Sequence, residues 1–261
     1  MGAQNLFATV KLASGNILIS GGLMYGYTHS GTEVYEPATG RWRYVGSLKK
    51  PRYGHQATLL QSGKVLVTGG TVEFREGPIF RFDDATTAEL YDPETEKWSP
   101  AGDLGHGTSL TVPVRLYSGE VLLVDGYNVD LYDPSTNTWR AVAAPSVSLS
   151  NHTATRLYSG EVLVVSGASS HLYSPYSGQW RAGPALKGTR SKHTATLLYS
   201  GKVLVAGGGG TELYDPSSNT WTQQPASPES FKGGSSVMLH TGQVLLTGGE
   251  EFTTAAAIFT P

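Results

Sequence analysis

The chain has 261 residues, 19 Lys+Arg against 21 Asp+Glu for a formal net charge of −2 at pH 7, and no cysteine. A near-neutral balance with no basic run argues against a protein that follows a phosphate backbone, so no nucleic-acid partner is expected. The lack of cysteine excludes disulfides, thiolate metal sites and cysteine nucleophiles.

No apolar stretch approaches the roughly 18 residues of a membrane span, and residues 1–20 lack a basic start followed by an apolar block and a cleavage site. The expectation is a soluble, mature chain without membrane insertion, and nothing in the composition points to a compartment. The sequence carries 33 Gly and 14 Pro beside many Ser, Thr and Tyr, and no window sustains helical periodicity. Short strands joined by tight turns are predicted, with almost no helix.

In chain order, one four-part phrase recurs. Strand A is of the HQATLL or HTATLL type and meets strand B at Ser-Gly or Thr-Gly, where glycine tolerates the positive φ of a tight hairpin. Strand B ends in two small residues: NILISGG, KVLVTGG, EVLLVDG, EVLVVSG, KVLVAGG and QVLLTGG. Strand C carries an aromatic and then a turn: EVYEPATGRW from Glu33, ELYDPETEKW from Glu89, DLYDPSTNTW from Asp130, HLYSPYSGQW from His171, ELYDPSSNTW from Glu212, and AIFTP from Ala257. Asp bonding its own backbone and Pro presetting φ explain that turn.

The tryptophan of each phrase opens strand D. Trp98, Trp139, Trp180 and Trp221 follow one another at 41-residue steps, and Trp42 opens the series. A large amphipathic ring recurring once per unit suits a contact between neighbouring sheets, so the tryptophans are read as structural.

This ordered pattern resembles the Kelch repeat family, specifically its bacterial form, which is related to the central domain of galactose oxidase. The resemblance spans essentially the whole chain. Departures are Asp125-Gly126 and Ser166-Gly167 in place of a double glycine, and Phe259 in place of the tyrosine. The resemblance implies an all-β, six-bladed Kelch-type β-propeller with strand A innermost. It would be a single domain over 1–261, with repeats at approximately 6–49, 50–105, 106–146, 147–187, 188–228 and 229–261.

In such blades the A–B and C–D turns share one end and the B–C and D–A connections the other. The first end is uniform, whereas the B–C connections run to 10, 18, 3, 3, 3 and 7 residues in turn. Variable loops on a rigid scaffold are where recognition sits. The two long loops, 23–32 and 71–88, concentrate Tyr25, Tyr27, His29, Phe74, Arg75, Phe80, Arg81, Phe82 and Asp83. Aromatics and arginine are enriched in binding hot spots. The D–A connections add Arg52, Tyr53, His106, Lys187 and Arg190, two of these connections being basic. The plain alternatives are that the phenylalanines pin a long loop and that the lysines serve solubility.

His55, His152 and His193 share one register, 13 residues after their tryptophans, but Phe7, Thr111 and Gly234 interrupt any ring. They are weak metal candidates, and no metal or cofactor is expected. The copper-radical chemistry of galactose oxidase requires a tyrosine crosslinked to a cysteine, which is lacking here. The sialidase turn, HExxH and GxSxG are absent. GGGG at 207–210 leads into a strand, so no helix N-terminus follows to hold a phosphate.

The expected function is a non-enzymatic recognition module for a protein, peptide or glycan at the B–C/D–A end. The alternatives are a sugar isomerase or hydrolase with its site at the channel mouth, and a structural spacer or engineered scaffold. The phase of the repeat also predicts a sixth blade of three strands, lacking strand D, with homodimerisation through its open edge.

Overall fold

A computed structural model describes residues 4–76, 79–108, 111–225, 231–249 and 255–261, with backbone alone described for 4, 5, 75, 76, 79 and 80. Every regular element among them is a strand. The chain divides into two units, Met1–Val142 and Ala143–Pro261.

The first unit holds three antiparallel four-stranded sheets, each in sequence order from A to D. The first sheet is Ala8–Lys11, Ile17–Ser20, Gly31–Glu36 and Arg41–Ser47. The second is Gln56–Leu59, Val65–Thr68, Thr87–Asp92 and Lys97–Asp103. The third is Thr111–Arg115, Val121–Asp125, Asn128–Asp133 and Thr138–Ala141.

The second unit repeats the scheme. Its first sheet, the fourth of the chain, is Thr153–Arg156, Val162–Ser166, Ser169–Ser174 and Gln179–Ala182. The fifth is Thr194–Leu197, Val203–Ala206, Thr211–Asp215 and Thr220–Gln223. The sixth has three strands among the described residues, Ser235–Met238, Val244–Thr247 and Ala256–Phe259. Gln4–Asn5 pairs with Leu23–Met24 in the first unit.

Strand B is buried nearly along its length in the second to fifth sheets, where it reads as a continuous apolar run, and only at alternate residues in the first and sixth. In the second sheet, Val65 and Val67 pack with Leu18, Val34 and Trp98 against the first sheet, while Leu66 packs with Val121 and Tyr132 against the third. The period-2 alternation of a strand therefore feeds two different cores. In the second unit, Val203 and Val205 join Leu163 and Leu172, while Leu204 and Ala206 join Val244 and Leu246.

Four of the tryptophans bond residues 37 to 66 positions earlier in the chain. Trp139 donates its Nε1–H to the Ala101 carbonyl at 2.7 Å, Trp180 to Ala143 at 2.6 Å and Trp221 to Pro184 at 3.1 Å. Trp98 donates to Thr32 Oγ1 at 3.1 Å. Each ring also lies against the strand C tyrosine of its own sheet, as Tyr132 and Trp139 do with centroids 5.0 Å apart. The C–D turn closes with Asn137 at φ 57° and Asn219 at φ 52°. Asn tolerates that left-handed backbone, and its side chain accepts the hydroxyl of Tyr132 at 2.7 Å or Tyr214 at 2.8 Å.

Candidate functional site

The two long B–C loops are themselves β-hairpins. In the first, Leu23–Met24 pairs with Tyr27–Thr28 through a two-residue turn in which Tyr25 has φ 53° and Gly26 φ 83°. Positive φ at both central positions matches the twist of a tight hairpin. It is costly for a tyrosine, yet it holds that ring at the tip, 78% exposed.

In the second, Thr71–Glu76 pairs with Ile79–Asp84, and its base adds Arg52–Tyr53 as a third strand. Val72 is buried at that base, while Phe74 and Phe82 are exposed. Phe74, across from Arg81, shares the face of Val72 further from the base, while Phe82, across from Glu73, stands on the opposite face. Arg75 and Phe80 pair along the same hairpin, but their side chains lie outside the described residues. Asp83 is exposed opposite Val72.

One acidic side chain ties the hairpins together. Glu73 Oε2 accepts the Thr28 hydroxyl at 2.9 Å and the Thr28 amide at 3.3 Å. His29 follows directly, its Nδ1 accepting the Gly31 amide at 3.1 Å. Tyr25, Tyr27, His29, Phe74, Arg81, Phe82 and Asp83 thus belong to two adjoining hairpins at one end of the first two sheets.

Arg52 and Arg190 do not join that surface, contrary to the expectation from their loops. The Arg52 side chain is 0% exposed and meets Glu89 at 3.1 Å. It also donates to the Thr87 carbonyl at 2.7 Å and the Gly69 carbonyl at 3.3 Å. Burial pushes the Arg52 pKa down, and the Glu89 charge opposes the shift. Arg190 repeats the arrangement on Glu212 and the Gly210 carbonyl, at 2.5 and 2.6 Å. Glu89 also accepts the Lys49 and Lys50 amides, and Glu212 those of Lys187 and Gly188. These arginines fasten D–A connections to strand C, and Lys187 is left with its side chain exposed.

His106 occupies the corresponding place in the third sheet. Its Nε2 lies 2.9 Å from Asp130 Oδ2, and its Nδ1 lies 3.7 Å from Asp125 Oδ2. Burial raises the Asp130 pKa, with His106 pulling it back. Asp125 and Asp130 were not among the sequence candidates. The signal for Asp130 is the register two residues before the strand C aromatic, which reads Glu33, Glu89, Asp130, His171, Glu212 and Ala257, and that for Asp125 is its place where other repeats have glycine.

The three histidines of shared register are each engaged separately. His55 Nε2 lies 3.1 Å from Ser20 Oγ, His193 Nε2 lies 2.9 Å from Thr153 Oγ1, and His152 Nδ1 lies 3.1 Å from the Leu149 carbonyl. Burial, then the Arg52 charge, lowers His55 to about 3. Burial, then Arg190, lowers His193 to about 4. His55 and His193 thus tie one sheet to the next as neutral rings, while His152 bonds within its own connection.

No protein-family model matches the chain. Over 103 residues it is 30% identical to Kelch-like protein 38 of Rattus norvegicus, a stretch that is 40% of this chain and 16% of that protein. Its fold is similar, at a TM-score of 0.78 and 17% identity, to a novel fungal alcohol oxidase of the AA5 family solved in complex with copper. That likeness covers 95% of this chain and 59% of the oxidase. The fold is all-β and similar to that of a β-propeller, and part of the repeat sequence is similar to a Kelch-like protein. The chain spans only a small part of the curated relative and about three-fifths of the oxidase. The chain has no cysteine, and the described residues contain no group of three His, Cys, Asp or Glu arranged to hold a metal.

Proposed function

We propose that this chain is a non-enzymatic recognition module that binds a protein or peptide segment, or a glycan, across the paired hairpins of the first two sheets. The observation that carries this reading is the Glu73–Thr28 link, which joins the two hairpins that bear the exposed rings Tyr25, Tyr27, Phe74 and Phe82. Exposed aromatics grouped on loops above a packed scaffold are the chemistry of binding hot spots. The partial similarity to a Kelch-like protein favours a protein partner over a glycan.

In the same reading the six sheets are the blades of one six-bladed propeller over 1–261, of the bacterial Kelch type, with a three-stranded last blade whose edge offers a route to a homodimer. Nucleic acid is not a partner. The residues assigned to recognition are Tyr25, Tyr27, His29, Phe74, Arg75, Phe80, Arg81, Phe82 and Asp83, with Tyr53 at the hairpin base and Lys187 and His106 on other connections.

The test is a peptide and glycan array probed with the intact chain and with a variant in which residues 73–82 are replaced by Asn-Gly. Val72 and Asp83 stand directly opposite each other, so a two-residue turn closes the shortened hairpin while keeping buried Val72 and the pairing to Arg52–Tyr53. Binding to the intact chain that disappears in the folded variant supports the reading. Unchanged binding moves the site elsewhere.

A second reading, a hydrolase or sugar isomerase, is favoured only by the contact of His106 with Asp130. Its test is turnover of a glycoside panel that His106→Ala abolishes.

A further inference from the structure

The A–B turns are built on one plan with a varying second residue. These residues, in chain order, are Ala13, Gln61, Tyr117, Tyr158, Tyr199 and His240, each two places before the turn glycine. Gln61, Tyr158 and Tyr199 reach over the turn glycine of the next sheet. A Cβ on Gly201 would stand 3.2 Å from the Tyr158 ring, one on Gly242 would stand 3.6 Å from the Tyr199 ring, and one on Gly119 would stand 2.8 Å from Gln61 Oε1. The Tyr158 hydroxyl also donates to the Leu198 carbonyl, 3.4 Å away.

Between the first and second sheets that cover is missing. Ala13 ends at its methyl group, and nothing lies within 4 Å of the corresponding position on Gly63. The space is a cleft of about 530 Å³, lined by Ala13 and Gly63 together with Arg43, Lys64, Tyr91 and Asp92. Its charged lining is Arg43, Lys64, Asp92 and Glu94. Lys64 is paired to Asp92 at 3.1 Å, and Arg43 to Glu36 at 2.8 Å and to Glu96 at 2.5 Å, so neither cation is left unpaired for an anion. The Leu60 carbonyl receives the Gly63 amide at 3.1 Å, as Leu198 receives Gly201 at 2.9 Å, so it offers the acceptor that Leu198 offers to Tyr158.

We propose that this cleft binds a phenolic ring, which would occupy the place that Tyr158 and Tyr199 fill for their neighbouring sheets and donate its hydroxyl to the Leu60 carbonyl. The chain thus carries one internal copy of the expected complex in Tyr158, ring and hydroxyl bond together, and a second copy of the ring position in Tyr199. The site is at the A–B turn end of the sheets, away from the paired hairpins, and stands independently of the recognition surface proposed above.

The experiment titrates p-cresol and N-acetyltyrosinamide to about 10 mM into the isotopically labelled intact chain, following backbone amide shifts by NMR. Saturable shifts centred on Ala13, Gly63 and Lys64 are expected for both. Tighter binding of N-acetyltyrosinamide assigns the site to a tyrosyl side chain of a partner, and equal binding assigns it to free phenols. N-acetylphenylalaninamide should bind about 3- to 10-fold more weakly than its tyrosine counterpart, the worth of one hydrogen bond. Ala13→Tyr should fill the cleft, raise the Tm and weaken binding at least about tenfold. Ala13→Gln, which copies the neighbouring Gln61, gives a second plugged variant should the tyrosine disturb folding. No saturable shifts in the wild-type chain, or undiminished binding in a folded plugged variant, overturns the proposal.

Discussion

Arg52 and Glu89 form a fully buried ion pair, 3.1 Å apart, that closes the connection into the second sheet, and Arg190 with Glu212 repeats it in the fifth. The corresponding residues of the sixth sheet are Phe231 and Ala257, in an apolar cluster. One structural joint is thus made by charge in some repeats and by apolar packing in another.

Breaking one partner of such a pair leaves the other charge buried and uncompensated. Arg52→Met should therefore destabilise the chain by about 3–5 kcal/mol in urea unfolding. Adding Glu89→Leu should recover only part of the loss, because Glu89 also accepts the Lys49 and Lys50 amides. Full recovery in the double variant would mean that those two amide bonds contribute little.

His55 and His193 impose a pH dependence. Their folded pKa values, about 3 and about 4, lie below the ordinary 6.5, so the unfolded chain takes up protons first as pH falls. Their contribution is fully present above pH 6.5 and is lost progressively toward the folded values. Between pH 7 and pH 5 each should cost about 2 kcal/mol. The urea midpoint should fall across this range, and His55→Gln should flatten the slope by about that amount. An identical slope in the variant would refute the assignment.

Gly201 and Gly63 separate backbone strain from packing. Their φ values are 82° and 84°, so alanine at either position meets the same left-handed penalty of about 1–2 kcal/mol. Only at Gly201 does the new methyl also meet a tyrosine ring, that of Tyr158. Thermal unfolding should rank Gly201→Ala as more damaging than Gly63→Ala, and equal losses would remove any role for the Tyr158 cover.

Tyr25 and Phe82 are 78% and 50% exposed, and neither belongs to the buried clusters. Serine at either position should leave stability within about 0.5 kcal/mol. Ligand capture on the array should fall at least about tenfold for each, the cost of a moderate hot spot. Stability loss with intact binding would instead make these rings loop pins.

Repeat phase and strand order within each sheet were legible in the linear chain because the same strand and turn chemistry recurs in each unit, which stamps a regular spacing on the sequence. The long B–C loops were visible as length variation, and their aromatic content named most of the candidate surface. Arg52 and Arg190 read as exposed loop cations because their partners lie 37 and 22 residues further on, in another strand. Burial depends on who faces whom, and a linear motif does not record facing.

The link between Glu73 and Thr28 spans 45 residues and is of the same kind. So is the cleft beside Ala13, a feature that exists only because a neighbouring sheet presents Gly63 to it. The sequence alone determined the repeating local architecture, since turn chemistry and strand alternation act within a few residues. The tertiary structure decided which polar side chains are spent inside the protein and which remain available, because packing between sheets sets the solvent exposure on which binding depends.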